Sequence, residues 1–65
     1  MSESNPDYIT VSLLGSGYAA LHMTWDSEAQ FYDVQQTGIG RYETRDKAET
    51  EARSWSISDQ IELRI

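Results

Sequence analysis

A chain of 65 residues with no cysteine, Asp+Glu 11 against Lys+Arg 5 and a net charge of −6 is one small acidic domain. It has no means of building a disulfide framework or a thiolate metal site. A domain of this length buries only about 60% of the surface its unfolded chain exposes. Its stability therefore rests on a compact core carrying large side chains such as Trp25 and Trp55, or on a partner chain.

Acids and bases are segregated along the chain. Residues 1–40 contain Glu3, Asp7, Asp26, Glu28 and Asp33 and no lysine or arginine, whereas Arg41, Arg45, Lys47, Arg53 and Arg64 all lie beyond. A surface of that sign repels phosphate backbones and anionic lipid, which argues against direct nucleic-acid or membrane binding. The plain reading of the charge is solubility. The functional reading is an acidic patch for a basic partner.

Met1 to Asp7 is polar, without the basic stretch and apolar run of a signal peptide, and reads as a disordered tail ahead of a single domain over 8–65. No apolar run approaches the roughly 20 residues that span a bilayer, so a cytoplasmic protein is expected. Tyr8 to Leu14 alternates with period two, Ile9, Val11 and Leu13 on one side, and is rich in β-branched residues, the pattern of a half-buried strand. Gly15-Ser16-Gly17 reads as a three-residue hairpin loop. A second strand, Tyr18 to Trp25, alternates in turn, with Ala19, Leu21, Met23 and Trp25 sharing a face. Setting Leu14 opposite Tyr18 brings Leu13 to Ala19, Val11 to Leu21 and Ile9 to Met23, apolar against apolar throughout. A loop at Ser27-Glu28-Ala29-Gln30 then places Trp25 opposite Tyr32 and Met23 opposite Val34.

Thr37-Gly38-Ile39-Gly40 breaks the third strand. Thr44 is a good N-cap with Asp46 in the first turn, and Ala48, Ala52 and Trp55 fall at helical spacing over Arg45 to about Ser56. Ser56 to Gln60 reads as the break, and Ile61 to Ile65 alternates as a closing strand parallel to strand three or strand one. The expected fold is α+β, a three-stranded antiparallel meander with one helix on one face and a short final strand, in the order β-β-β-α-β. Its expected core gathers Val11, Leu21, Trp25, Val34, Ala52, Trp55 and Leu63.

Catalytic signals are absent. His22 is the lone histidine and reads as a surface residue; no serine sits in a nucleophile elbow; and Gly15-Ser16-Gly17 joins two strands without the lysine of a phosphate loop. Carboxylate pairs such as Asp26 and Glu28, or Glu49 and Glu51, read as ordinary solvated charge. Neither catalytic, cofactor nor metal residues are assigned, and an enzyme is not expected.

The segment Gly40-Arg41-Tyr42-Glu43-Thr44, followed by Ala48 and Ala52, resembles the sheet-to-helix junction of plant AP2 domains and phage-integrase arm domains. The resemblance covers roughly residues 18–56 and implies their sheet-plus-helix layout. It does not carry over their DNA binding, since strands one to three hold none of the basic residues those families use. In size, acidity and lack of cysteine the chain is also similar, as a class, to small phage-encoded inhibitors of the anti-CRISPR type, which implies a partner among nucleic-acid-handling proteins. The sequence thus points to a non-enzymatic protein-binding module, an acidic inhibitor or nucleic-acid mimic acting on a basic protein. The alternative is a small structural homodimer pairing through its open sheet face or edge. On the register above, Tyr18, His22 and Phe31 mark the open face, and Asp26, Glu28 and Asp33 the acidic patch, of the partner-binding surface.

Overall fold

The first hairpin is decided at Gly15, whose backbone stands at φ 59. A left-handed glycine at the first central position is what a two-residue type II′ turn requires. In the computed structural model, which describes residues 5–65, the turn is Gly15-Ser16 alone, and it joins β1 (Tyr8–Leu14) to β2 (Gly17–Asp26). Leu14 pairs with Gly17, Val11 with Ala20 and Ile9 with His22, one residue away from the register expected with a three-residue loop. That single slip turns every β2 side chain to the other face relative to β1. Gly17 belongs to the strand for a steric reason: a Cβ there would lie 3.0 Å from the Tyr42 carbonyl oxygen, because a later segment runs close beside it.

The second hairpin follows expectation. β3 (Phe31–Thr37) pairs Tyr32 with Trp25 and Val34 with Met23 across the loop Ser27 to Gln30. The Asp26 carboxylate accepts from the backbone of Glu28 and Ala29, and Gln30 closes the loop in the left-handed region at φ 65. A bulge follows, since His22 pairs with Gln36 while Met23 pairs with Val34, leaving Gln35 unmatched. The chain then stays beside β2. Gly38 N donates to Ala20 O at 2.7 Å, and Tyr18 and Tyr42 exchange backbone bonds of 2.8 and 2.9 Å.

The helix α1 (Arg45–Asp59) starts as expected, with the Thr44 hydroxyl accepting from Lys47 N and Asp46 in the first turn. It runs past the expected break at Ser56. Trp55 Nε1 donates to the Asp59 carboxylate one turn on, at 2.9 Å, and Gln60 caps the end with φ 56 and ψ 45. The backbone amides of Gln60 and Ile61 both reach the Ser56 carbonyl, whose own hydroxyl donates to Ile61 O. This satisfies carbonyls that a bare helix end would leave open. The closing strand β4 is shorter than expected, Glu62–Leu63, and lies parallel to β1 with Leu63 beside Ile9. The sheet order is β3-β2-β1-β4, with α1 as the crossover between the outer strands. The α+β layout and element order are those expected from the sequence.

The core lies between α1 and the first two strands. Ile9, Val11, Ala20, Ala48 and Ala52 are buried there, and Tyr18, Tyr42, Trp55, Ile61 and Leu63 pack around them. Three alanines let helix and sheet approach closely, so little space remains for large side chains. The expected core is corrected on three members. Leu21 is buried but on the opposite face, Trp25 is half-buried there, and Val34 is 45% exposed.

Of the expected tail, residues 1–4 lie outside the described residues. In the adjoining stretch the Pro6 carbonyl accepts from the Tyr32 hydroxyl at 2.9 Å and Asp7 accepts from His22 at 3.0 Å. Among the described residues no helix is long and apolar enough to cross a membrane.

Two outcomes test this arrangement. Ala52→Glu places a carboxylate in a fully buried contact and should cost ~3–5 kcal/mol, on the order of the whole stability of a domain this size, so its circular dichroism should be that of an unfolded chain. Gln60→Gly relieves a left-handed non-glycine worth about 1 kcal/mol, and should raise the melting temperature by about 4–8 °C.

Candidate interaction surface

The register assigns the two faces of the sheet. On the helix side stand Ile9, Val11, Tyr18, Ala20 and His22. The placement of Tyr18 and His22 on an open face is therefore corrected. Tyr18 packs against the core. The His22 side chain is only 15% exposed, donates to the Asp7 carboxylate, and meets the Trp55 ring edge-on with centroids 6.0 Å apart. Asp26, Phe31 and Asp33 share this side of the sheet by register, but α1 packs on β1, β2 and β4 and does not reach β3. Phe31 is consequently 53% exposed, and Asp26, Glu28 and Asp33 crowd the free end of the β2–β3 hairpin.

The face turned away from the helix carries Tyr8, Leu21, Met23, Trp25, Tyr32 and Val34. Three of these form a continuous aromatic row. Tyr8 and Tyr32 meet edge-to-face with centroids 4.7 Å apart, and Tyr32 meets Trp25 in the same manner at 5.2 Å. Each such pair contributes about 0.5–1.5 kcal/mol beyond the area it covers, so the rings hold one another in place. At one end Arg64 lies over the Tyr8 ring, 4.6 Å from its centroid, while its guanidinium bonds Glu62 at 3.1 and 3.3 Å. Those bonds to Glu62 raise the Arg64 pKa, partly opposed by desolvation. At the other side the Tyr32 hydroxyl donates to the Pro6 carbonyl. The face is thus apolar and aromatic, with a cation at one end and a hydroxyl donor in the middle.

Charge around it is unevenly satisfied. Arg45 and Arg53 pair with Glu49, and Arg64 with Glu62. Among the described residues no base lies within ion-pair distance of Asp26, Glu28 or Asp33, and no group of three or more histidines and carboxylates is placed to hold a metal ion.

A second concavity of about 630 Å³ runs along α1, walled by Tyr42 and Trp55 with Glu51 at its base. Glu51 serves as a tie. Its Oε2 accepts from Ile39 N at 3.0 Å, and a Cβ on Gly38 would lie 2.5 Å from that oxygen, so glycine is what lets the carboxylate seat over the chain. Its buried Oε1 has no hydrogen-bond partner among the described residues. Even so, hydrogen bonding to Glu51, then burial, then the carboxylate's charge raise the Tyr42 pKa.

The sequence reading set Met23, Trp25, Tyr32 and Val34 on the helix side, and so missed that they share with Tyr8 the face turned away from it. The signal that could have found them is the Gly-Ser dipeptide, a two-residue turn by composition. No protein family, curated protein or solved structure matches the chain.

The raised Tyr42 pKa has an alkaline consequence. Its neutral form is favoured in the folded protein, a stabilisation complete below the unfolded value of 10.0 and lost as pH rises through the higher folded one. Phenolate absorbance should show Tyr42 ionising above the ordinary tyrosine range. Glu51→Gln should bring it back to the ordinary range.

Proposed function

We propose that this chain is a non-enzymatic protein-binding module that presents the sheet face opposite its helix to a basic partner protein. One observation carries the reading: Trp25, Tyr32 and Met23 share with Tyr8 the sheet face turned away from α1. Trp and Tyr are the residues on which interface energies concentrate, because they bury much area at little conformational cost. A row locked by edge-to-face contacts lowers that cost further.

The unpaired Asp26, Glu28 and Asp33 supply the second element. They stand at the tip of the β2–β3 hairpin, Asp26 and Asp33 on the sheet side opposite the aromatic row, and their negative potential steers a cationic partner toward that end of the molecule and speeds its encounter. Where that partner is a nucleic-acid-binding protein, the same carboxylates stand in for phosphates and the module acts as an inhibitor. A homodimer paired through the β3 edge is disfavoured. The Asp33 carboxylate already accepts from Val34 N at 2.9 Å, and the bulge at Gln35 interrupts the strand, two devices that blunt an edge.

The test compares immobilised wild-type protein with Trp25→Ser/Tyr32→Ser and with Asp26→Asn/Glu28→Gln/Asp33→Asn. The serine variant should lose captured protein altogether while keeping its fold by circular dichroism. The neutralised variant should bind with an on-rate lowered roughly tenfold and a flattened salt dependence. Equal capture by all three proteins would sink the reading, and a wild-type mass of twice the monomer by light scattering would replace it with self-association.

A further inference from the structure

We infer that Asn5-Pro6-Asp7 is a strap the chain closes over the middle ring of its own aromatic row, and that the strap releases while the domain stays folded. The inference deepens the binding-module reading, whose surface the strap regulates, and rests on that reading for its consequence.

The strap begins where the bonding of the sheet stops. The β1–β2 ladder ends with Tyr8 opposite Met23, although β2 runs on to Asp26. Proline has no amide hydrogen to offer a ladder, so the pairing does not extend through Pro6. Asn5, Pro6 and Asp7 are exposed and belong to no strand. Two side chains hold them instead, one from each face of the sheet. Tyr32 of β3 donates its hydroxyl to the Pro6 carbonyl at 2.9 Å, and His22 of β2 donates to the Asp7 carboxylate at 3.0 Å.

Both fastenings are mounted on fixed parts. The Tyr32 ring is held edge-to-face between Tyr8 and Trp25, with centroids 4.7 and 5.2 Å away. The His22 ring, 15% exposed, stands edge-on to Trp55 of α1. The stretch itself lies on the surface, so the moving part is its three residues alone. One exposed hydrogen bond favours the closed arrangement about fivefold, and an exposed ion pair about twofold. Together they favour closure about tenfold. That is enough to occupy the Tyr32 hydroxyl most of the time, and weak enough to let it go without disturbing the β1 ladder or the core. A partner that needs this hydroxyl competes with Pro6, so its apparent affinity falls by the same factor.

The test is NMR on the full chain alone, with flavin mononucleotide as the photochemical probe of tyrosine hydroxyl exposure. In the wild type the amides of Asn5 and Asp7 should be nearly as ordered as those of β1. In Asp7→Ala/Tyr32→Phe the order parameters of residues 5 and 7 should drop below about 0.6, while residues 8–14 keep theirs. Asp7→Ala alone removes the weaker fastening, and should raise the flavin-induced polarisation of the Tyr32 ring about twofold. A wild-type stretch as mobile as that of the double variant, or equal Tyr32 polarisation in wild type and Asp7→Ala, overturns the inference. These readouts need no partner, so their failure leaves the binding-module reading standing. Equal capture by the serine variant would instead sink that reading and leave the strap in place.

Discussion

The close approach of Ala48 and Ala52 to Ile9, Val11 and Ala20 is the contact on which the rest of the molecule depends. A helix lined by alanine lies low on its sheet, and only small or flat side chains fit beneath it. Ala20 meets that demand at the centre of β2, and the turn at Gly15 puts Ala20 beside Val11. Once Ala20 points inward, alternation sends Leu21, Met23 and Trp25 outward. The exposed aromatic face is thus a consequence of how the small core is packed. Among the described residues Ile9 is the one large side chain fully enclosed, and its burial contributes about 2–3 kcal/mol of a modest total.

The legible part of the fold was whatever local chemistry dictates. Alternation marked β1 and β2, Thr44 and Asp46 marked the helix start, and the four-residue loop gave the third strand and the correct pairing of Trp25 with Tyr32. The illegible part was one residue of register at Gly15-Ser16-Gly17. Hydrophobic matching favoured the register that buries the larger β2 set, because matching counts apolar residues and takes no account of the space beneath the helix. Tertiary packing chose the smaller set. The helix end was missed for a related reason. Ser56, Ile57 and Ser58 have weak helical preference, but Trp55 to Asp59 and the Ser56 carbonyl hold that last turn together. Of the candidate site, the acids at the hairpin tip were legible, whereas Tyr18 and His22 inherited the register error.

The segment between β3 and α1 couples the two layers. Gly38 and Tyr42 are bonded to the β2 backbone, while Glu51 reaches from the helix to Ile39 N. The connector is therefore pinned on both sides, which compensates for a helix that never touches β3. Gly17 and Gly38 serve the same end, each removing a Cβ where another group must approach. Ile39, between those anchors, stays 99% exposed because its amide and not its side chain is what the fold uses.

Leaving Trp25, Tyr32 and Met23 uncovered is costly for a domain with so little core, since each would contribute more if enclosed. The arrangement recovers part of that cost internally. Rings set edge-to-face shield one another, Arg64 covers Tyr8, and Pro6 meets the Tyr32 hydroxyl, so part of the row is covered by contacts within the chain. The same contacts keep the face from adhering indiscriminately. Leu13 and Phe31, the other exposed large groups of the meander, lie on the helix side at opposite ends and form no patch with it. The result is a surface stable enough to stand in water and ordered enough to select, which a loose apolar patch of equal area would not be.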